Sequence, residues 1–142
     1  MIGDSTSSTI SSTAIVGSCR IFFGYARSHP YCIVAANFLK HNLPSATWAT
    51  KYKIINATEV PIYSYYYGTL FMHQMGGDYW NTWNTAMKKV VTSSQLVAPD
   101  PDAGSFPVFG TDADVAGKVY STGMCVLTLE TYYRYLPMLW FR

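Results

Sequence analysis

Gly76-Gly77-Asp78-Tyr79-Trp80-Asn81-Thr82-Trp83-Asn84-Thr85-Ala86-Met87-Lys88-Lys89-Val90-Val91-Thr92 is the stretch on which the fold turns. Tyr79, Trp80, Trp83, Met87, Val90 and Val91 recur at the spacing of one helical face, and Asn81, Asn84, Thr85, Lys88 and Thr92 fill the other. Gly76-Gly77 stops whatever precedes it, and Asp78 is placed to cap the new helix through its carboxylate. Just upstream, Pro61 opens the run Ile62-Tyr63-Ser64-Tyr65-Tyr66-Tyr67-Gly68-Thr69-Leu70-Phe71-Met72. Apolar residues surround that run on every side, which predicts a helix buried all round. Together the two runs predict a helical hairpin.

The same reading extends outward in both directions. Residues 13–25 are mostly apolar, with Gly24 near the end. Ser28 is placed to cap a second helix with Pro30 in its first turn. Within it Cys32, Ala35, Ala36 and Leu39 fall at helical spacing, and Leu43-Pro44 ends it. Residues 45–60 read as a connection without a clean period. On the other side, residues 94–117 carry Pro99, Pro101, Gly104, Pro107, Gly110 and Gly117 and read as one long loop, a length that often marks a functional or partner surface. The final segment, 119–136, stops at Pro137. Its alternation at Leu127, Leu129, Thr131, Tyr133 and Tyr135 suits a strand by propensity.

The chain has 142 residues, enough for one domain with a modest core. It is 49% hydrophobic, 16% aromatic and only 13% charged, against about 25% charged in ordinary globular chains. With a mean hydropathy of +0.07, this points to extensive burial or to a surface made for a partner. A net charge of +2 argues against nucleic acid. Residues 1–12 are Ser/Thr-rich and read as a tail ahead of a domain at 13–142. They offer neither a basic leader nor a long apolar core, so no signal peptide is expected. No apolar run reaches membrane-spanning length. The default compartment is cytoplasmic, or extracellular if the chain belongs to a longer exported one. Cys19, Cys32 and Cys125 do not make a disulfide framework, and Cys19 and Cys32 read as small buried hydrophobes. His29, His41 and His73 show no metal-ligand spacing with them, so no metal and no cofactor are expected.

A short internal repeat links the segments. Ser12-Thr13-Ala14, Gly68-Thr69-Leu70 and Ser121-Thr122-Gly123 each join a Thr to small neighbours at the start of an apolar run. Repetition of this kind suggests stacked helical hairpins. The order of Tyr65-Tyr66-Tyr67-Gly68-Thr69, His73-Gln74-Met75-Gly76-Gly77, Trp80-Asn81-Thr82-Trp83-Asn84, Gln95, Gly104-Ser105-Phe106, Gly117-Lys118-Val119-Tyr120-Ser121-Thr122 and residues 127–137 resembles the prenyltransferase/squalene-oxidase repeat family, over roughly 14–137 and in the C-terminal part of that family. The resemblance implies an all-α chain: a partial, terpenoid-cyclase-like α/α toroid of five to six helices, with 119–136 an inner helix rather than a strand. Gln95 with Gly104 and Phe106 is similar to the Gln…Gly-x-Trp repeat signature, in which the Gln caps a helix end and ties neighbouring hairpins. Here Phe106 stands in the Trp position.

What the family's chemistry requires is largely absent. Its cyclases protonate an alkene with an Asp-x-Asp-Asp acid. Thr111-Asp112-Ala113-Asp114-Val115 comes nearest, but Val115 stands at the third carboxylate position and the stretch reads as loop. Protein prenyltransferases bind zinc through Asp, Cys and His, and no Asp-x-Cys occurs. No Cys-Gly-Glu-Gln thioester motif occurs either. Glu130 and Arg134 are spaced as a helical i,i+4 pair with a structural role. The expectation is a chain without catalytic residues: a noncatalytic repeat module acting through self-association as a homo-oligomer, up to a filament or other higher-order assembly, or through association with other toroid repeats of a larger chain. A second reading is a binding module whose aromatic concavity, lined by Tyr63, Tyr66, Tyr67, Trp80 and Trp83, holds an isoprenoid or a peptide. Such stripes are more often core than ligand box. A partial cyclase-like enzyme is the third.

Overall fold

The expected hairpin forms, and the reason lies in one small residue. Gly68 carries no side chain where the Trp83 indole crosses, and a Cβ there would stand 2.7 Å from the indole Cη2. The indole therefore lies directly against the backbone of its partner helix. Its Nε1–H donates to the Thr69 hydroxyl at 3.0 Å, so burial leaves no donor unpaired. The computed structural model describes residues 5–45, 62–108 and 111–134, of which 5–8, 111–115 and 132 as backbone alone. Five helices run through them: α1 Ser5–Phe22, α2 Pro30–His41, α3 Ile62–Met75, α4 Gly77–Ser94 and α5 Thr111–Arg134. The described residues are all-helical, with no strand among them. The segment 46–61, and with it nearly all of the expected connection, lies outside the described residues.

The helices stack as hairpin repeats. Packing joins α1 to α3 and α3 to α5, while α2 and α4 pack on that row and on each other. Helix α1 runs parallel to α3: the Ser11 and Ser64 hydroxyls share a 2.5 Å hydrogen bond, and Phe71 lies against Gly17. Ser18 donates to the Tyr67 carbonyl across the same seam at 3.1 Å. Helix α4 returns antiparallel over α3, with Trp80 edge-on to His73 at 4.8 Å and Trp83 over Gly68. With neighbours on both flanks and on its back, α3 is buried almost all round, including Ser64, Thr69, His73 and Gln74. Trp83, Met87, Val90 and Val91 form the buried face of α4, as their spacing predicts.

Several boundaries differ from the sequence-based expectation. Helix α1 begins at Ser5, so residues 5–12 of the expected tail are helical, and Ile10 and Ser11 are buried. His29, not Ser28, caps α2 by accepting from the Tyr31 N–H at 3.3 Å, with Pro30 in the first turn. Gly76, not Asp78, is the N-cap of α4, in a backbone conformation (φ 70°, ψ −167°) open to glycine alone. Asp78 sits in the first turn, bound by Lys40, whose hydrogen bond holds its carboxyl below the usual range. The expected loop 94–117 is shorter, because α5 begins at Thr111 and continues through a break at Gly117 (φ 75°, ψ −173°). Cys19, expected inside, is exposed, while Cys32 and Cys125 are buried. Residues 119–134 are helical, against their strand propensity.

The Trp83–Gly68 seam can be tested by overpacking. Gly68→Ala forces a Cβ into the indole and should cost about 1–3 kcal/mol of stability, read as a lower urea midpoint. An unchanged midpoint would show that the two helices separate easily.

Candidate functional site

Helix α5 buries small polar residues and leaves three large apolar ones exposed. Ser121, Cys125, Thr128 and Thr131 form its buried face. The Thr128 and Thr131 hydroxyls are satisfied within the helix, donating to the Met124 and Leu127 carbonyls at 2.7 and 3.2 Å. On the opposite side Val119, Val126 and Tyr133 recur every seven residues, two helical turns apart, and are 87%, 41% and 77% exposed. An ordinary amphipathic helix shows water its polar face. This one spends small polar residues on α3 and presents an apolar ridge.

The other end of the stack carries a groove. Helices α1 and α2 diverge on the flank turned away from α3, leaving a cleft of about 400 Å³ walled by Val16, Val34, Ala35 and Phe38, with Ser12 and Thr13 toward one end. Arg20 lies at the other, its guanidinium 4.9 Å from the Tyr31 ring centre. Val16 stands about 160° around α1 from Ser18, which touches α3. Among the described residues, exposed large apolar side chains are confined to this hairpin and its turn, to Val97 in a loop and to the α5 ridge. The central α3–α4 hairpin has none.

The expected repeat signature is brought together. Gln95 is the C-cap of α4, and its Nε2–H donates to the Gly104 carbonyl at 2.8 Å. The loop between them closes on itself: the Leu96 N–H donates to Ser105 and the Gly104 N–H to Leu96, at 2.9 and 2.8 Å. Phe106 is buried and its N–H donates to the Thr122 hydroxyl of α5 at 3.1 Å. Lys118 pairs with Asp102 of the same loop. Gln95, Gly104 and Phe106 therefore fasten the α3–α4 hairpin to α5.

The five aromatics expected to line one concavity do not share one surface. Gly68 and Thr69 mark the side of α3 that meets Trp83, and Tyr63, Tyr66 and Tyr67 lie on the opposite arc of that helix. Tyr66 and Tyr67 touch edge-on at 5.3 Å. Trp83 is wholly buried and Trp80 half-buried against His73. Asp112 and Asp114 lie on the short helical stretch before Gly117, not in a loop. The Glu130–Arg134 pair forms, at 3.5 Å. No group of three or more His, Cys, Asp or Glu side chains among the described residues could hold a metal. Burial pushes the Cys125 thiol up to about 12 and raises that of Cys32, so neither is a ready nucleophile. The ridge and the groove were missed from sequence. The seven-residue spacing of Val119, Val126 and Tyr133 was the signal available.

His73 supplies a pH test. It is buried, its Nδ1 has no partner among the described residues, and burial holds its pKa below the ordinary 6.5. The unfolded chain then takes up a proton that the folded chain refuses, so stability rises with pH. The contribution is complete above pH 6.5 and is lost as pH falls through the lowered value. The urea midpoint should drop on acidification from about pH 7.5 to about pH 5.5, and less steeply in His73→Gln. Equal slopes in the two proteins would remove His73 as the cause.

No protein-family model, no curated protein and no solved structure matches this chain.

Proposed function

We propose that the chain is a noncatalytic module of stacked helical hairpins, an arc of a toroid-like ring, that acts by joining end to end with copies of itself or with further hairpins of a larger chain. One observation carries this reading: apolar exposure gathers at the two ends of the stack and is missing from the central hairpin. Stacked-repeat proteins that live alone close their ends with polar capping surfaces. Here one end shows the α5 ridge and the other the α1–α2 groove.

The magnitudes are consistent with association of moderate strength. Two end patches of about 300 Å² each, buried at about 25 cal/mol per Å², return about 15 kcal/mol. Lost translational and rotational freedom costs about 4–15 kcal/mol. The balance favours contact that depends on concentration, and a surface with few charges offers little repulsion against it. No helix among the described residues is long and apolar enough to cross a membrane.

Light scattering after size exclusion should give a mass above 15.9 kDa that grows with loading. Val126→Glu, which sets a charge in the ridge, should shift the population toward monomer by about tenfold in dissociation constant. A single 15.9 kDa species up to about 100 μM would overturn self-association, since contacts weaker than that fall short of specific assembly. Incubation with squalene or a prenyl diphosphate should return starting material only, and turnover abolished by Asp114→Asn would restore the enzyme reading.

A further inference from the structure

Two histidines stand at the opposite ends of α2 and bond in opposite senses. At the N-terminus, His29 Nδ1 accepts from the Tyr31 N–H at 3.3 Å. A backbone N–H only donates, so Nδ1 carries no proton and the neutral ring holds its hydrogen on Nε2. At the C-terminus, His41 Nδ1 lies 2.7 Å from the Asn37 carbonyl. A carbonyl only accepts, so there Nδ1 carries the hydrogen. The His29 ring is also set between two others, its centre 4.8 Å from that of Tyr25 and 5.2 Å from that of Tyr31.

We propose that α2 is an acid-responsive helix that opens at one end: protonation of His29 releases its first turn, while His41 keeps its bond. An imidazolium donates from both nitrogens and accepts at neither. A charged His29 therefore cannot hold the Tyr31 N–H, and its own Nδ1–H is aimed at another donor. The positive end of the helix dipole adds repulsion. His41 already donates, and a cation at a helix C-terminus is favoured. The surroundings of His29 supply further positive charge and no free carboxylate. Arg20 of α1 lies over the Tyr31 ring at 4.9 Å. Arg27, in the turn before His29, donates to the Met75 carbonyl at 3.5 Å. Helix α2 packs on α1, α3 and α4. No Asp or Glu occurs in residues 5–45 or in α3, and the one carboxylate of α4, Asp78, is held by Lys40. Tyr31 also lines the α1–α2 cleft, so release of this turn alters that end of the stack within a single copy.

Nuclear magnetic resonance of the nitrogen-labelled protein reads both rings at once. At about pH 7.5 the imidazole nitrogens should report Nε2–H at His29 and Nδ1–H at His41. On acidification to about pH 5.5, the Tyr31 amide should lose about fivefold of its protection against exchange, the loss typical of a missing cap. Its chemical shift should follow the titration of the His29 ring. The Asn42 amide, bonded to the Leu39 carbonyl at the far end of α2, should keep its protection. His29→Asn supplies a capping side chain that does not titrate and should hold the Tyr31 amide at both pH values. His29→Ala should show at about pH 7.5 the protection that the wild type shows at about pH 5.5. Nδ1–H at His29, a Tyr31 amide that ignores the ring's titration, or an acid response that survives in His29→Asn would overturn the proposal. Each of those outcomes leaves the end-to-end reading standing, because all are properties of a single copy.

Discussion

The indole of Trp83 occupies the space that Gly68 leaves, and the architecture follows from that contact. The ring lies against the bare backbone of α3, where a Cβ would clash with the indole. The Nε1–H then needs an acceptor at that depth, and the Thr69 hydroxyl supplies one. With α4 drawn onto one side, α3 keeps two flanks for α1 and α5. A helix so enclosed can afford Tyr65, Phe71 and Met72 pointing in different directions, because each direction is interior. Gly17 under Phe71 repeats the same device one helix earlier.

Much of this was legible in the sequence, and the failures share causes. The Trp83, Met87, Val90 and Val91 face was readable because a single-sided helix obeys the rule that apolar residues point inward. The enclosure of α3 was readable because its apolar residues leave no polar face. Gly76 announced the turn, although it took the cap position assigned to Asp78, since only glycine reaches that conformation. The start of α1 was missed because its Ser and Thr residues look like solvated tail. They serve instead as a narrow interface, where Ser11 and Ser18 bond across to α3. Helix α5 misled in another way: Ser121, Thr128 and Thr131 are buried while Val119, Val126 and Tyr133 are exposed, so a rule that sorts residues by hydrophobicity finds no consistent helix.

The Gln95 junction shows how a long connection becomes structure. Gln95 ends α4 and binds Gly104 across its own loop, so the cis peptide before Pro99 and the turns that follow are held as a closed unit rather than a free tether. Phe106 then anchors the chain at α5 through Thr122. Two hydrogen bonds and a buried phenyl ring fix the junction.

Symmetry sharpens what the exposed ends imply. A two-fold dimer formed ridge to ridge would bury Val119, Val126 and Tyr133 against themselves and leave both α1–α2 grooves in water. A dimer formed groove to groove would oppose two Arg20 side chains and leave both ridges bare. Either arrangement covers one of the two exposed apolar surfaces found among the described residues and leaves the other bare. Joining unlike ends would cover a ridge and a groove at every contact. It leaves one bare end of each kind per assembly, however long. The uncovered area per copy would then fall as such an assembly grew, and it would vanish only in a closed ring.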